Sequence, residues 1–319
     1  MFSYSTRASG PVFISALLLL ASQSLLAATS LNGFILDEAL IPVEEILPGG
    51  PPRDGIPALD QPKFIPASAA KFLNPRDRVL GIVVDGVSRA YPIKILNYNE
   101  IVNDRIGEQP IVVSFCPLCG SGMIFSAELT DRVFNFGVSG LLYNSDVLLY
   151  DRQTESLWSQ IKSLAVTGPM KGTQLTALAV SHTTWRDWLS RHPETDVLSD
   201  DTGFRRQYQI NPYPTYKTDR QLYFPVAVEN RDYPRKSMVL GLQIDDQFKA
   251  YPFKELKKSP PKFRDELNGK AYTVVFDKKN QAARIIGLDG EEIPSLTAFW
   301  FAWYAFHPDT EIYKFKKEK

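Results

Sequence analysis

The chain has 319 residues, with 36 Lys and Arg against 36 Asp and Glu, 44% hydrophobic residues and two cysteines. That charge balance excludes a nucleic-acid binder built on a basic stripe, which must displace phosphate counterions. Two cysteines exclude a disulfide-stapled scaffold, so stability comes from a core, and 23 prolines point to loops and strand ends in place of long helices.

Arg7 precedes an apolar run from Val12 to Leu26, and small residues follow at Ala27, Ala28, Thr29 and Ser30. This profile predicts a cleaved signal peptide over residues 1–28. The run is broken by Ser15, Ser22, Gln23 and Ser24 and falls short of the roughly 20 apolar residues that span a bilayer. The expectation is a periplasmic or secreted protein with no stable membrane insertion after cleavage. Removal of Arg7 leaves the remaining chain near neutrality, which again predicts no nucleic-acid partner.

Residues 29–68 read as a Pro-rich N-terminal arm, with Pro42, Pro51, Pro52, Pro57, Pro62 and Pro66 preventing a regular helix or central strand. An internal repeat then organises the chain. The stretch VLGIVVDGVSRAYP from Val79 lines up with VLGLQIDDQFKAYP from Val239, seven of the 14 positions being identical. Each reads as a β-hairpin with an Asp-Gly or Asp-Asp turn. Trp185, Trp188, His192, Pro193 and Thr195 match Trp300, Trp303, His307, Pro308 and Thr310. The Trp spacing puts two rings on one helical face, and His-Pro closes that helix.

These matches predict a β-rich α+β fold, an internally duplicated hairpin-plus-helix unit with residues 69–200 as the first repeat and 236–319 as the second. The Tyr-, Pro- and Arg-rich residues 201–235 read as a linker. The first copy is longer by about 45 residues, an insertion that this reading assigns to residues 116–160. Within it, residues 111–115 and 121–126 form a hairpin with the cysteines in its turn.

The distinctive feature is Cys116-Pro117-Leu118-Cys119-Gly120. A thioredoxin-like site needs a helix starting at the pair, whose dipole acidifies the attacking thiol; Gly120, Ser121, Gly122 and a β-type run follow instead. A metal knuckle fits the local pattern, but tetrahedral zinc needs four ligands, so others must join. His182 is the candidate histidine, since His192 and His307 are repeat-equivalent and read as structural. Met123 suits Cu(I), which favours soft sulfur, and copper or zinc are the metals expected. A plain Cys116–Cys119 disulfide bracing a turn is the third alternative. Asn144, Asp146 and Asp151 lie in a dense polar cluster that suits a cation or acid–base pair, or merely turns.

The run Tyr91-Pro92 to Ile95-Leu96, then Asn99-Glu100-Ile101-Val102-Asn103-Asp104, the cysteine loop, Gly140-Leu141-Leu142-Tyr143-Asn144-Ser145-Asp146, and residues 150–160 (YDRQTESLWSQ) resemble the uncharacterised bacterial and archaeal family "domain of unknown function 3179". The resemblance covers nearly the whole chain after residue 28 and implies no established activity. The family pattern places a His before Glu-Ile-Val-Asn-Asp, where this chain has Asn99; Asn is a poor metal ligand and no base. The sequence thus predicts an exported protein with one pocket formed by Cys116, Cys119, Asn99, Asn144, Asp146, Asp151 and Met123, with His182 joining as a ligand, for metal binding or thiol redox. No catalytic residue is assigned, and whether the protein is an enzyme stays open. The alternative is a non-catalytic periplasmic binding or assembly protein that holds a small ligand or protein partner on an aromatic surface around Trp158, Trp185 and Trp300, with a structural disulfide.

Overall fold

The computed structural model describes residues 1–2 and 29–317. The expected signal peptide therefore lies, apart from Met1 and Phe2, outside the described residues. Among the described residues, no helix is long and apolar enough to cross a membrane.

The fold is mostly β, 40% strand and 11% helix, arranged as a five-bladed β-propeller. This corrects the expectation of an α+β hairpin-plus-helix duplication. Among the described residues the four α-helices are only four to seven residues long, too short to form a layer. They are connectors whose buried side chains, among them Ile95, Leu96, Trp188, Trp300 and Trp303, pack into the core between the strands.

Blade I contains Arg78–Val84 and Val87–Pro92, flanked by Ser181–Thr184 and Asp196–Leu198, with Phe64–Pro66 outermost. Blade II contains Ile101–Ile106, Gln109–Cys116, Ser121–Ser126 and Ala177–Leu178. Blade III runs Phe136–Tyr143, Asp146–Asp151, Leu157–Ser159 and Leu164–Ala165, with Ile46–Pro48 on its other edge. Blade IV is built from Met238–Ile244, Gln247–Pro252, Leu296–Phe299 and Glu311–Ile312, and blade V from Lys262–Leu267, Lys270–Asp277, Ala282–Ile286 and Glu292–Ile293.

Blades I and IV share their pairing. Val79 opposes Pro92 and Val239 opposes Pro252, and the last strand of each runs parallel to the hairpin's second strand. A Cβ on Gly81 would lie 2.3 Å from the Trp188 ring, and one on Gly241 would lie 2.1 Å from the Trp303 ring. Each indole thus lies flat on backbone that only glycine leaves bare. Trp188 Nε1 donates to Thr195 Oγ1 and Trp303 Nε1 to Thr310 Oγ1, both at 3.0 Å. His192 and His307 pack on these indoles at 4.1 and 4.2 Å.

The correspondence continues into blades II and V. Tyr91 donates to Asp104 at 2.6 Å, and Tyr251 to Asp265 at 2.8 Å; Arg89 and Lys249 pair with the same two carboxylates. In blade II, Cys116 opposes Ser121 across a four-residue turn, and in blade V, Asp277 opposes Ala282 in the same way. The cysteine hairpin therefore has a counterpart in the second half. The extra residues of the first half are blade III and its connections, which places the cysteine loop outside the insertion assigned to it from sequence. The two halves also grip each other: Ser181–Thr184 of blade I packs on Ala282–Ile286 of blade V, and Leu296–Phe299 of blade IV packs on Ser121–Ser126 of blade II.

Candidate metal centre

Two hairpin tips from neighbouring blades meet at the cysteines. The blade II tip is residues 116–121, in which Gly120 has φ 60°. A Cβ there would press on the Phe299 ring at 3.2 Å, and the Phe299 N–H donates to Cys119 O at 2.8 Å. Blade IV thus holds the loop from outside. The blade III tip is the two-residue turn Asn144-Ser145, both with positive φ (51° and 64°), the hairpin geometry that suits the twist of its strands. Asn tolerates that conformation well, and Ser less so. Asn144 Oδ1 accepts from Ala227 N–H, and Ser145 Oγ donates to Phe224 O, each at 2.7 Å.

The turn aims Ser145 O at both sulfurs, 3.7 Å from Cys116 Sγ and 3.3 Å from Cys119 Sγ. Asp146 follows at once. Ligand atoms of Cys116, Cys119 and Asp146 all lie within 4.8 Å of one another, and the three residues are buried. Both thiols are free.

A polar chain orients the carboxylate. Ile161 N–H donates to Asp146 Oδ2 at 3.1 Å, and Ser121 Oγ lies 3.4 Å from Asp146 Oδ1. Ser121 donates to Gln160 Oε1 at 2.6 Å, and the Gln160 amide donates to Ser114 Oγ at 2.8 Å. Such outer partners are what fix a ligand's geometry.

Glu100 is the residue that sequence reasoning missed as part of the site. It ends the short helix Ile93–Asn99 with φ 56°, an unusual conformation for a non-glycine, and is buried. It shares a cavity of about 80 Å³ with Cys116, Pro117, Leu118, Val147 and Tyr213, room enough for a few waters. Desolvation raises Glu100 to about 8, with the Asp146 charge adding to the effect, and raises Asp146 to about 7. Burial also pushes both thiols up, Cys119 well above its ordinary value. Neither carboxylate has an ion-pair partner among the described residues.

The other residues singled out from sequence lie in different settings. Asn99 is buried, donating to Pro57 O at 3.0 Å and accepting from Tyr208 Oη at 3.1 Å, so its amide is occupied. Asp151 accepts from Thr154 N at 2.6 Å and from Trp158 Nε1 at 2.9 Å, which ties its own turn together. Met123 opposes Ser114 in blade II and lines a separate cavity with Ile161, Trp303 and His307. His182 pairs with Leu80 in blade I and sets its ring edge-on against Phe115, 6.4 Å between centroids; it is not a member of the Cys–Asp group. Residues 201–235 lie over the site: Tyr208 reaches Asn99, while the backbone at Phe224 and Ala227 holds the blade III tip. Lys236 donates to three carbonyls of this segment, those of Tyr216, Asp219 and Gln221, and its ammonium sits 3.4 Å from the Tyr216 ring centroid.

A family model described as "Protein of unknown function (DUF3179)" matches residues 53–289. No curated protein and no solved structure matches the chain.

Proposed function

The chain belongs to the DUF3179 family of proteins of unknown function, and from that premise we propose that it is an exported metal-binding protein whose ion is held by Cys116, Cys119 and Asp146. Glu100 faces the ion's surroundings across the small cavity as a fourth donor or proton acceptor. The observation that carries this reading is geometric: ligand atoms of the buried Cys116, Cys119 and Asp146 lie within 4.8 Å of one another, the buried Glu100 lines the adjoining cavity, and desolvation drives all four groups toward their protonated forms. Burying such groups is costly unless a counter-charge arrives. A divalent ion supplies that charge and releases the protons.

Two thiolates with a carboxylate suit a borderline-soft ion such as zinc better than copper(I), which prefers sulfur alone. A thioredoxin-type role gains no support, because no helix starts at the cysteines and their thiols are held up where an attacking thiol must be held down. Export is supported by the sequence, where Arg7, the apolar run to Leu26 and the small residues after it match a signal peptide.

The test is metal analysis of the protein purified from the periplasm and after reconstitution with zinc, for wild type, Cys116→Ser and Asp146→Asn. About one ion per chain in wild type, falling well below that in both variants, is expected. Sub-stoichiometric metal in reconstituted wild type, or full retention in Cys116→Ser, would overturn the proposal.

A further inference from the structure

A larger cleft, about 680 Å³, opens on the far side of the cysteine loop, within the size range of small-molecule sites. Its walls come from both halves of the propeller: Pro117 and Gly120 from the blade II tip, and Lys279, Asn280 and Gln281 from the corresponding blade V tip. Phe115, Tyr213, Tyr216 and Phe299 give it an apolar side.

The charges in this cleft do not balance. Arg78 and Lys217 both line it. Arg78 is held by backbone oxygens alone: Nη1 donates to Asn280 O at 2.7 Å and Gln281 O at 3.2 Å, and Nη2 donates to His182 O at 2.6 Å. Carbonyl dipoles orient a guanidinium without cancelling its charge. Neither Arg78 nor Lys217 forms an ion pair among the described residues. Among the described residues the single carboxylate lining the cleft, Asp77, is already held by Lys94 at 2.6 Å. His182 completes the wall, is only 6% exposed, and its Nδ1 is buried without a hydrogen-bond partner. Buried polar atoms are seldom left so.

We propose that this cleft is a binding site for a small organic oxyanion, a carboxylate or phosphate group gripped by Arg78 and Lys217 and neighboured by His182, with the rest of the ligand against the aromatic wall. Arginine held in a fixed fork suits paired oxygens, and lysine adds a mobile point charge. Desolvation lowers Arg78 to about 10, and Lys217 is lowered by desolvation and by repulsion from Arg78 and Lys257; an anion relieves both. Burial, with the same two cations adding to it, holds His182 well below its ordinary range, so it takes part as a neutral imidazole. Through Pro117 and Gly120 the ligand would rest on the outer face of the cysteine loop, but nothing in the grip requires an ion there.

Calorimetric titration and thermal shift of the full chain, with inorganic phosphate, phenyl phosphate and benzoate against sodium chloride of equal ionic strength, test this. Saturable one-to-one binding by at least one of the three, with an affinity about tenfold weaker in Lys217→Gln, is the expected result. Lys217 is exposed as a residue although the cleft partly desolvates its charge, and the variant's melting temperature without ligand checks that it folds as wild type does. Absence of saturable binding up to about 10 mM for all three probes, or unchanged affinity in Lys217→Gln, would overturn the proposal. The titration is repeated on Cys116→Ser: retained anion binding there with metal lost separates this inference from the metal reading, and failure of metal binding alone leaves it standing.

Discussion

The corresponding turns of blades II and V are the same piece of architecture put to different uses. Residues 117–120 and 278–281 each bridge a pair of opposed residues, Cys116 with Ser121 and Asp277 with Ala282, and each is pinned by a strand of the other half. Phe299 N–H reaches Cys119 O at 2.8 Å, and Thr184 Oγ1 donates to Asn280 Oδ1 at 2.8 Å. The blade V turn is capped from within: Asp277 accepts from Lys279 N–H, Asn280 N–H and the Asn280 amide at 2.6–2.9 Å. The blade II turn has no such internal cap. Its two sulfurs face the Ser145 carbonyl and Asp146 of blade III, a blade with no counterpart in the second half. The chemistry therefore comes from adding a blade beside an ordinary turn, and the repeated framework supplies position only.

The sharpest way to break this comparison is to give the blade II turn its counterpart's residue. Cys119→Asn should cost more zinc affinity than the roughly 10–100-fold typical of losing an outer-shell partner, measured by chelator competition. Asp277→Asn in the other turn should leave zinc affinity unchanged. Equal effects from the two would dissolve the distinction between the turns.

Where the halves are alike, they should fail alike. Gly81→Ala and Gly241→Ala each drive a methyl into an indole ring at 2.1–2.3 Å, and overpacking of this kind costs about 1–3 kcal/mol or more. Denaturant midpoints of the two variants should fall by similar amounts. A large loss for one and none for the other would mean that only one of the Trp–Gly contacts is tight.

The propeller was only partly legible. The hairpins around Asp85-Gly86 and around the cysteines announce themselves by apolar runs broken at turn residues, and the repeated Tyr-Pro and Trp-x-x-Trp motifs mark blades I and IV. What closes the sheets carries no comparable signal. Ile46–Pro48, Phe64–Pro66 and Ala177–Leu178 are two- or three-residue strands, too short to show a period, and two of them come from the Pro-rich arm, where edge positions tolerate proline. At the site, Cys116, Cys119 and Asp146 were marked by residue type and turn chemistry. Glu100 carries no such mark, because its burial and its positive φ at a helix end are features that composition does not show. Asp151 was attractive for the same reason as Asp146, and only its partners, Thr154 and Trp158 Nε1, separate a turn cap from a candidate ligand.

The cation-poor cluster also separates the halves by pH. Glu100 and Asp146 rise from 4.5 and 3.8 to about 8 and about 7 in the fold, so between those limits the native state holds more protons than the unfolded chain. The contribution of this pair to ion-free stability is therefore fullest below about pH 4 and declines as pH climbs toward about 8. A bound divalent ion takes the place of those protons, so the ion-loaded protein should lose this decline and its metal affinity should climb over the same interval. Blade V has no buried acid pair in the corresponding turn: Asp277 is lowered by its bonds to Asn280 and Lys279, which contributes stability above about pH 4 and loses it on acidification. Unfolding in urea from pH 5 to pH 8.5, with a chelator and with saturating zinc, reads the difference. A chelated protein equally stable across that interval would mean that the carboxyls of Glu100 and Asp146 do not hold their protons, and the case for an ion as the missing counter-charge would fall with it. Asp277→Ala should leave the slope of that profile between pH 5 and 8.5 as it is and lower it throughout by about 1 kcal/mol, the ordinary worth of a turn's hydrogen bonds.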